Sequence, residues 1–351
     1  MALRPERLRA RLETFARVDL GARSSPIEPL TRLGRRLGID LHVMRDDLFS
    51  LAMGGNKVRQ LEYFLGPTVG TDFDTVLVSG AIQSNMVRLT AAAACRLGWQ
   101  AIVQLEDRVP RADPTFHASG NVLLDTLFSA DIHRVPAEWS EADAIQNLDR
   151  LADEARTRGR NPFVVQTSPN HPPLGALGYA NAAIEIVDAM TLSERLPDHI
   201  VIASGSGISH VGILAGARAM GWQVPVHGVC VRRTAAEQRP RLKHRIADLS
   251  EMLEIDPPTD EDILINDQDF APGYGIPNAA VRTAIRHAAK DEALILDPTY
   301  TGRAMAGLMS LVKDETIKQG ERVLFIHTGG QPGLFAYAAE FAPALTEELA
   351  K

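Results

Sequence analysis

The chain has 351 residues, 45% hydrophobic and 23% charged, with a formal net charge of −7. This is the composition of a globular protein with one large or two medium domains, and the acidic balance argues against a general nucleic-acid binder, which needs a basic face for phosphates. No apolar run of about 18 residues offers a membrane span, and the charged N-terminal stretch lacks the apolar segment of a secretory signal. The expectation is a cytoplasmic protein with neither membrane nor nucleic-acid partners. Cys95 and Cys230 belong to no CxxC or His/Cys cluster and read as buried reduced thiols.

In chain order, Gly54-Gly55-Asn56-Lys57 leads into a helical stretch, KVRQLEYFL. Asp74–Ser79 reads as a buried strand, Asn85–Leu97 as a helix stopped by Gly98, and Gln100–Glu106 as the next strand. Residues 135–158 read as a charged, solvated helical segment. Further strands are expected at Pro162–Gln166, Ile200–Ala203, Val226–Val231, Ala293–Leu296 and Val323–Ile326. Strand and helix alternating at this spacing predict parallel βαβ units. They fall into two groups, roughly 50–170 and 190–340, and so into an α/β protein with two open twisted parallel sheets. Ligands of such sheets sit in the loops after the strands.

Those loops hold the unusual residues. Ser204-Gly205-Ser206-Gly207-Ile208-Ser209 follows a strand and opens a helix, which suits a phosphate or a plain tight turn. It is neither a Walker A loop nor a dinucleotide GxGxxG. Lys57 stands at a helix start, where a cation is disfavoured and a neutral amine is not; an ordinary surface lysine is the competing reading. Gln83, Ser84 and Asn85 offer an amide, a hydroxyl and helix N–H groups for a carboxylate, or an ordinary N-cap. Tyr274 and Tyr300 lie in glycine-flanked loops and could stack on a ring or simply be half-buried. His117, His171, His210 and His327 show no metal-ligand spacing, and no GxSxG elbow is present.

Taken in order, GGNKVRQLEYFL, SGAIQSNMVRLTAAAACRLGW, GNVLLD, LGALGY, SGSGISHVGILAG, FAPGYGIPN, LDPTYTGRAMAGL and FIHTGGQPGLFAY resemble the D-cysteine desulfhydrase / 1-aminocyclopropane-1-carboxylate (ACC) deaminase family from about residue 24 to 340. The resemblance implies a pyridoxal 5'-phosphate (PLP) enzyme of fold type II, tryptophan synthase beta-like, usually a homodimer acting on a small amino acid. It implies a small lysine and substrate domain at 52–175 and a large cofactor-binding domain at 1–51 plus 176–351. Lys57 would be the Schiff-base lysine, with Gly205, Ser206, Gly207, Ile208 and Ser209 on the phosphate. Asn85 would contact the ring hydroxyl, and Thr301 and Thr328 would also line the cofactor. Ser84, Tyr274 and Tyr300 would join Lys57 in catalysis, with Gln83, Ser84, Asn85, Gln331 and His171 around the substrate.

Thr301 bears on the reaction. ACC deaminases carry Glu after the second tyrosine, which would hold a ring nitrogen protonated and strengthen the electron sink. A threonine favours α,β-elimination, where a leaving group takes the electrons. The best reading is D-cysteine to pyruvate, sulfide and ammonia, against ACC deamination, L-cysteate sulfo-lyase or racemase activity, or a non-catalytic binding relative. Met86, the segment 166–173 and Gln331 depart from the family pattern and could reshape the pocket.

Overall fold

A computed structural model describes residues 3–111, 113–191 and 195–341. Ten strands are present among them: β1 (Ile27–Pro29), β2 (Asp40–Arg45), β3 (Thr75–Ala81), β4 (Gln100–Glu106), β5 (Asp131–Val135), β6 (Pro162–Val164), β7 (His199–Ser204), β8 (Val226–Cys230), β9 (Leu264–Asn266) and β10 (Arg322–His327). They form a six-stranded sheet in the order β1-β2-β10-β7-β8-β9 and a four-stranded sheet in the order β5-β4-β3-β6. Every pairing is parallel except β1 with β2. Both faces of a parallel sheet must be covered, which explains the unbroken apolar runs at Val76–Val78 and Ile200–Ile202, all at most 1% exposed.

Two compact units result, one from Met1–Thr71 with Gln166–Gly329, the other from Asp72–Val165 with the described residues from Gly330 onward. Against the expected division, 52–175 and 1–51 plus 176–351, the residues around Lys57 lie in the larger unit, for a local reason. The Lys57–Phe64 helix is anchored by buried Arg59, which donates to Asp46 at 3.0 Å and to both carboxylate oxygens of Glu185 at 2.7 and 2.8 Å. Tyr179 donates to the same Asp46 at 2.5 Å. Gly178 lets the backbone of this helix come close, since a Cβ there would stand 2.4 Å from the Arg59 carbonyl. Lys57 therefore belongs to the larger unit. Past Gly330 the chain belongs to the smaller one, where Glu340 pairs with Arg111 and Tyr337 packs edge-on against Phe116.

The Asn85–Leu97 helix and its left-handed Gly98 stop lie where expected. Ala293–Leu296, expected as a strand, is not one: Ala293 is a left-handed helix cap, and the Ile295 carbonyl accepts from the His327 ring instead of a neighbouring strand. Cys230 is buried, whereas Cys95, expected buried, is exposed in the last turn of its helix. Among the described residues no helix is long and apolar enough to cross a membrane.

Candidate active site

The larger unit places Lys57 first. Its loop bends through four consecutive positive φ values, Ala52 (43°), Met53 (65°), Gly54 (60°) and Gly55 (113°). A Cβ at Gly54 would lie 2.6 Å from the Asp47 carbonyl and 2.7 Å from that of Phe49. The loop is thus pinned against β2's exit, and Lys57 begins the helix at its end. Lys57 Nζ donates to Gln60 Oε1 at 3.0 Å, one helical turn on. Burial, with the positive charge of Arg245 second, pushes the amine down to about 8. About a tenth of it is therefore neutral and nucleophilic at pH 7, far more than for an ordinary lysine.

Gln60 also donates to Ser209 Oγ at 2.8 Å, and Asn56 to the same oxygen at 3.0 Å. This ties Lys57 to the helix start after β7 and fills both lone pairs of the Ser209 hydroxyl, whose proton is directed at Tyr179. What Ser209 offers an anion is its backbone N–H, in the first turn of the 12-residue helix Ile208–Ala219. Gly207 precedes that helix at φ 86°, where a Cβ would meet Leu242 at 2.5 Å. Arg245 is buried behind the same turn: its Cδ is 3.8 Å from that Cβ position and its Nη2 donates to the Thr167 carbonyl at 2.7 Å. A Cβ at Gly205 would stand 3.7 Å from Tyr300 Cε1, which brings the second tyrosine to this loop.

Tyr274 and Tyr300 hydroxyls lie 2.6 Å apart. Arg303, fully buried, holds them there: it donates to the carbonyls of Asp269, Phe270, Gly273 and Ile276 and so fastens the Tyr274 loop to the helix that begins at Thr301. Burial raises the Tyr300 phenol well above its ordinary range, so it is a proton-bearing group. Thr301 is not an isolated hydroxyl. It donates to Asp297 Oδ1 at 2.7 Å and accepts from the Asp297 N–H at 2.9 Å, so a lone pair is what it has left. Thr328 lies buried after β10, its carbonyl accepting from the Asn56 N–H at 3.0 Å. Beside it His327 has a fixed tautomer: Nε2 faces the Ile295 carbonyl and donates, and Nδ1 accepts from the Gly329 N–H, which leaves the ring neutral. His171 sits exposed in a turn closed on the Ser168 carbonyl.

The smaller unit carries Gln83, Ser84 and Asn85 after β3. Ser84 caps its helix, accepting from the Val87 N–H at 3.3 Å, and keeps its own proton to donate. Gln83, expected to meet substrate, has both amide protons on carbonyls, Phe116 at 2.7 Å and Ser119 at 2.9 Å, and its Oε1 accepts from the Asn121 N–H. It is a strut, and Gly120 permits it: a Cβ there would lie 2.6 Å from Gln83 Oε1. Gln331 opens the short Gln331–Phe335 helix in this unit. Sequence reasoning passed over Gln60, Asn121, Arg245 and Asp297. Only Gln60 had a signal, its three-residue helical spacing from Lys57.

These groups suit PLP. A depressed buried amine matches an aldehyde, a glycine turn at a helix N-terminus beside a buried arginine matches a phosphate, and paired phenols match a substrate proton path. The family pattern "pyridoxal-phosphate dependent enzyme" matches residues 18–329, and the chain belongs to that family. It is therefore a PLP enzyme with the fold type II architecture of two parallel sheets. The D-cysteine desulfhydrase of Serratia proteamaculans (strain 568) is 38% identical over 94% of this chain and 98% of its own. That of Klebsiella pneumoniae (strain 342) is 37% identical over 93% and 97%. A crystal structure of an ACC deaminase homologue superimposes with TM-score 0.84 and 32% identity, covering 96% of this chain and 99% of that one.

Proposed function

We propose that this chain catalyses α,β-elimination of a β-substituted amino acid, with D-cysteine and one water yielding pyruvate, hydrogen sulfide and ammonia. The near full-length similarity to D-cysteine desulfhydrases supports the substrate. The observation that carries the chemistry is the depressed Lys57 amine, bonded through Gln60 to Ser209 at the glycine turn. Lys57 would hold PLP covalently, the N–H groups of Gly205 to Ser209 its phosphate, Asn85 its ring oxygen and Thr301 its ring nitrogen, with Thr328 alongside. When bound, PLP supplies an electron sink for negative charge at the substrate's Cα.

The protein's own groups do the rest. Lys57 Nζ, buried and easily deprotonated, takes the α-proton in its free-amine form. Ser84 Oγ donates to the substrate carboxylate. Tyr300 Oη keeps its proton at neutral pH and shares it with Tyr274 Oη, so the pair can deliver a proton to the departing sulfur. Gln331 and His171 would bear on which β-substituent is accepted. The same proposal has the chain acting as a cytoplasmic homodimer, in line with its two unpaired cysteines and the family expectation.

The test is a visible spectrum of the purified protein with PLP, then pyruvate and sulfide assays on D-cysteine. A band absent from Lys57→Ala, with activity lower by at least ~10³-fold, is expected. A colourless wild-type protein refutes the assignment of Lys57. A second reading, ACC ring opening, is favoured by one feature: Asp297 stands behind Thr301, so the hydroxyl offers a lone pair that could accept from a protonated ring nitrogen. Release of 2-oxobutyrate from ACC, exceeding pyruvate from D-cysteine, would establish it.

A further inference from the structure

Asn85 can serve a ligand as a hydrogen-bond donor or, turned over, as an acceptor; the difference is a flip of its amide. The structure fixes which, through a chain of groups in the smaller unit. Arg88 is fully buried and carries only donors. Its Nη1 stands 3.2 Å from one side-chain end of Asn121, so that end is Oδ1. The opposite end is then Nδ2, and a second, independent constraint agrees: it lies 3.0 Å from the Gln83 main-chain carbonyl, which can only accept. Asn121 Nδ2 also lies 3.1 Å from the Asn85 side chain, so the Asn85 atom there is Oδ1. Nδ2 is the end that Asn85 can turn to a ligand.

Asn121 cannot rotate out of this role. It is fully buried, and its main-chain N–H is held by Gln83 Oε1 at 2.9 Å. Its amide plane is therefore set at both ends by groups of fixed polarity, and an amide assignment that would otherwise be arbitrary is determined.

We infer that Asn121, backed by Arg88, is a positioning residue that sets the polarity of Asn85, so that Asn85 presents N–H rather than C=O to an anionic ring oxygen. This rests on the reading that Asn85 meets the oxygen of bound PLP. Asn121 itself touches no cofactor atom in this scheme. Its value is that a phenolate is stabilised by a donor and repelled by a carbonyl.

Asn121→Asp tests it. The variant keeps the size and the Arg88 partner and, once ionised beside that guanidinium, has no donor, so Asn85 turns Nδ2 inward and Oδ1 outward; the readouts are therefore followed up to alkaline pH, where the new carboxyl is charged. The expected result is a PLP dissociation constant about 10- to 100-fold higher, the size of losing one hydrogen bond to a charged group, together with a shifted visible band and a shifted pH midpoint of that band. Asn85→Ala and the double variant complete a cycle, with the melting temperature of the PLP-free proteins as a folding control. If Asn121 acts through Asn85, Asn121→Asp adds nothing to the band shift or affinity loss in the Asn85→Ala background. Should Asn85→Ala shift both readouts while Asn121→Asp leaves them unchanged, or adds in full, the positioning role is wrong. Unchanged readouts in Asn85→Ala overturn the underlying ring-oxygen contact as well.

Discussion

Two aspartates, one in each unit, are buried to nearly the same depth: Asp297 is 2% exposed and Asp125 is 0% exposed. Their surroundings could hardly differ more. Asp297 accepts from the N–H groups of Thr299, Tyr300 and Thr301 and from the Thr301 hydroxyl, all at 2.7–2.8 Å. Neither carboxylate oxygen of Asp125 has a hydrogen-bond partner among the described residues; Arg88 is near it as a charge. Burial pushes both acids up, but at Asp297 four donors pull back, while Asp125 rises to about 8. Depth sets the cost of a charge, and local donor supply decides whether the charge is kept.

The sharpest way to break this comparison is to remove Asp297. Asp297→Ala strands three buried N–H groups and is expected to lower stability by ~3–5 kcal/mol, measured by urea unfolding. It should also loosen Thr301 and the adjoining Tyr300. A loss below ~1 kcal/mol would mean that the donors find other partners.

Asp125→Asn should act in the opposite sense and only with pH. The folded acid ionises near 8 and the unfolded one near its ordinary value of 3.8, so between those values the folded state binds more protons. Stability then falls as pH rises through that window, and the full contribution is retained only below it. Asparagine removes this slope. The variant should match wild type only below the unfolded value of 3.8, draw ahead as pH rises through the window, and exceed wild type by on the order of a few kcal/mol at pH 9. Parallel stability–pH curves for the two proteins would show that Asp125 is not ionising as its isolation demands.

The smallest effect extends the comparison to cations. Lys57 is depressed by burial first and by Arg245 second, with no carboxylate to offset either. Arg245→Met removes the like charge, so the Lys57 pKa should rise, by ~0.5–1 unit. Capture of PLP by the cofactor-free protein speeds up with pH as the amine loses its proton. Its midpoint, about 8 in wild type, should move to higher pH in the variant. A midpoint that stays in place would assign the depression to burial alone.

Much of this architecture can be read from residue order, and the failures have a common cause. The Asn85–Leu97 helix and β4 lie at the expected bounds because a run of Ala and Leu, a capping Ser84 and a left-handed Gly98 are local signals. The Ser204–Ser209 turn was legible because small residues after an apolar run leave few other conformations. Ala293–Leu296 misled because an apolar run reports burial, not whether a ladder partner exists. Cys95 misled because the outward face of a helix's last turn cannot be seen from an alanine-rich stretch. The donors and acceptors that fix the site pair residues far apart in the chain: Asn121 with Gln83, Arg245 with Thr167, Gln60 with Ser209. Residue order constrains which groups exist, while their pairing emerges only with the sheets.

The strained segment from Ala52 to Gly55 has a consequence for how this enzyme could diverge. Two non-glycine residues there hold left-handed backbone, which costs roughly 1–2 kcal/mol apiece, and Gly54 is hemmed in by two carbonyls. A library of random variants would find almost no tolerated replacement at Gly54, because any side chain must displace main chain. Gly329, where a Cβ would lie 2.5 Å from Gly55 Cα, is closed for the same reason. The lysine's location is thus held by main-chain packing that substitution can hardly alter, whereas the exposed Asn170, His171 and Pro172 can change without moving it.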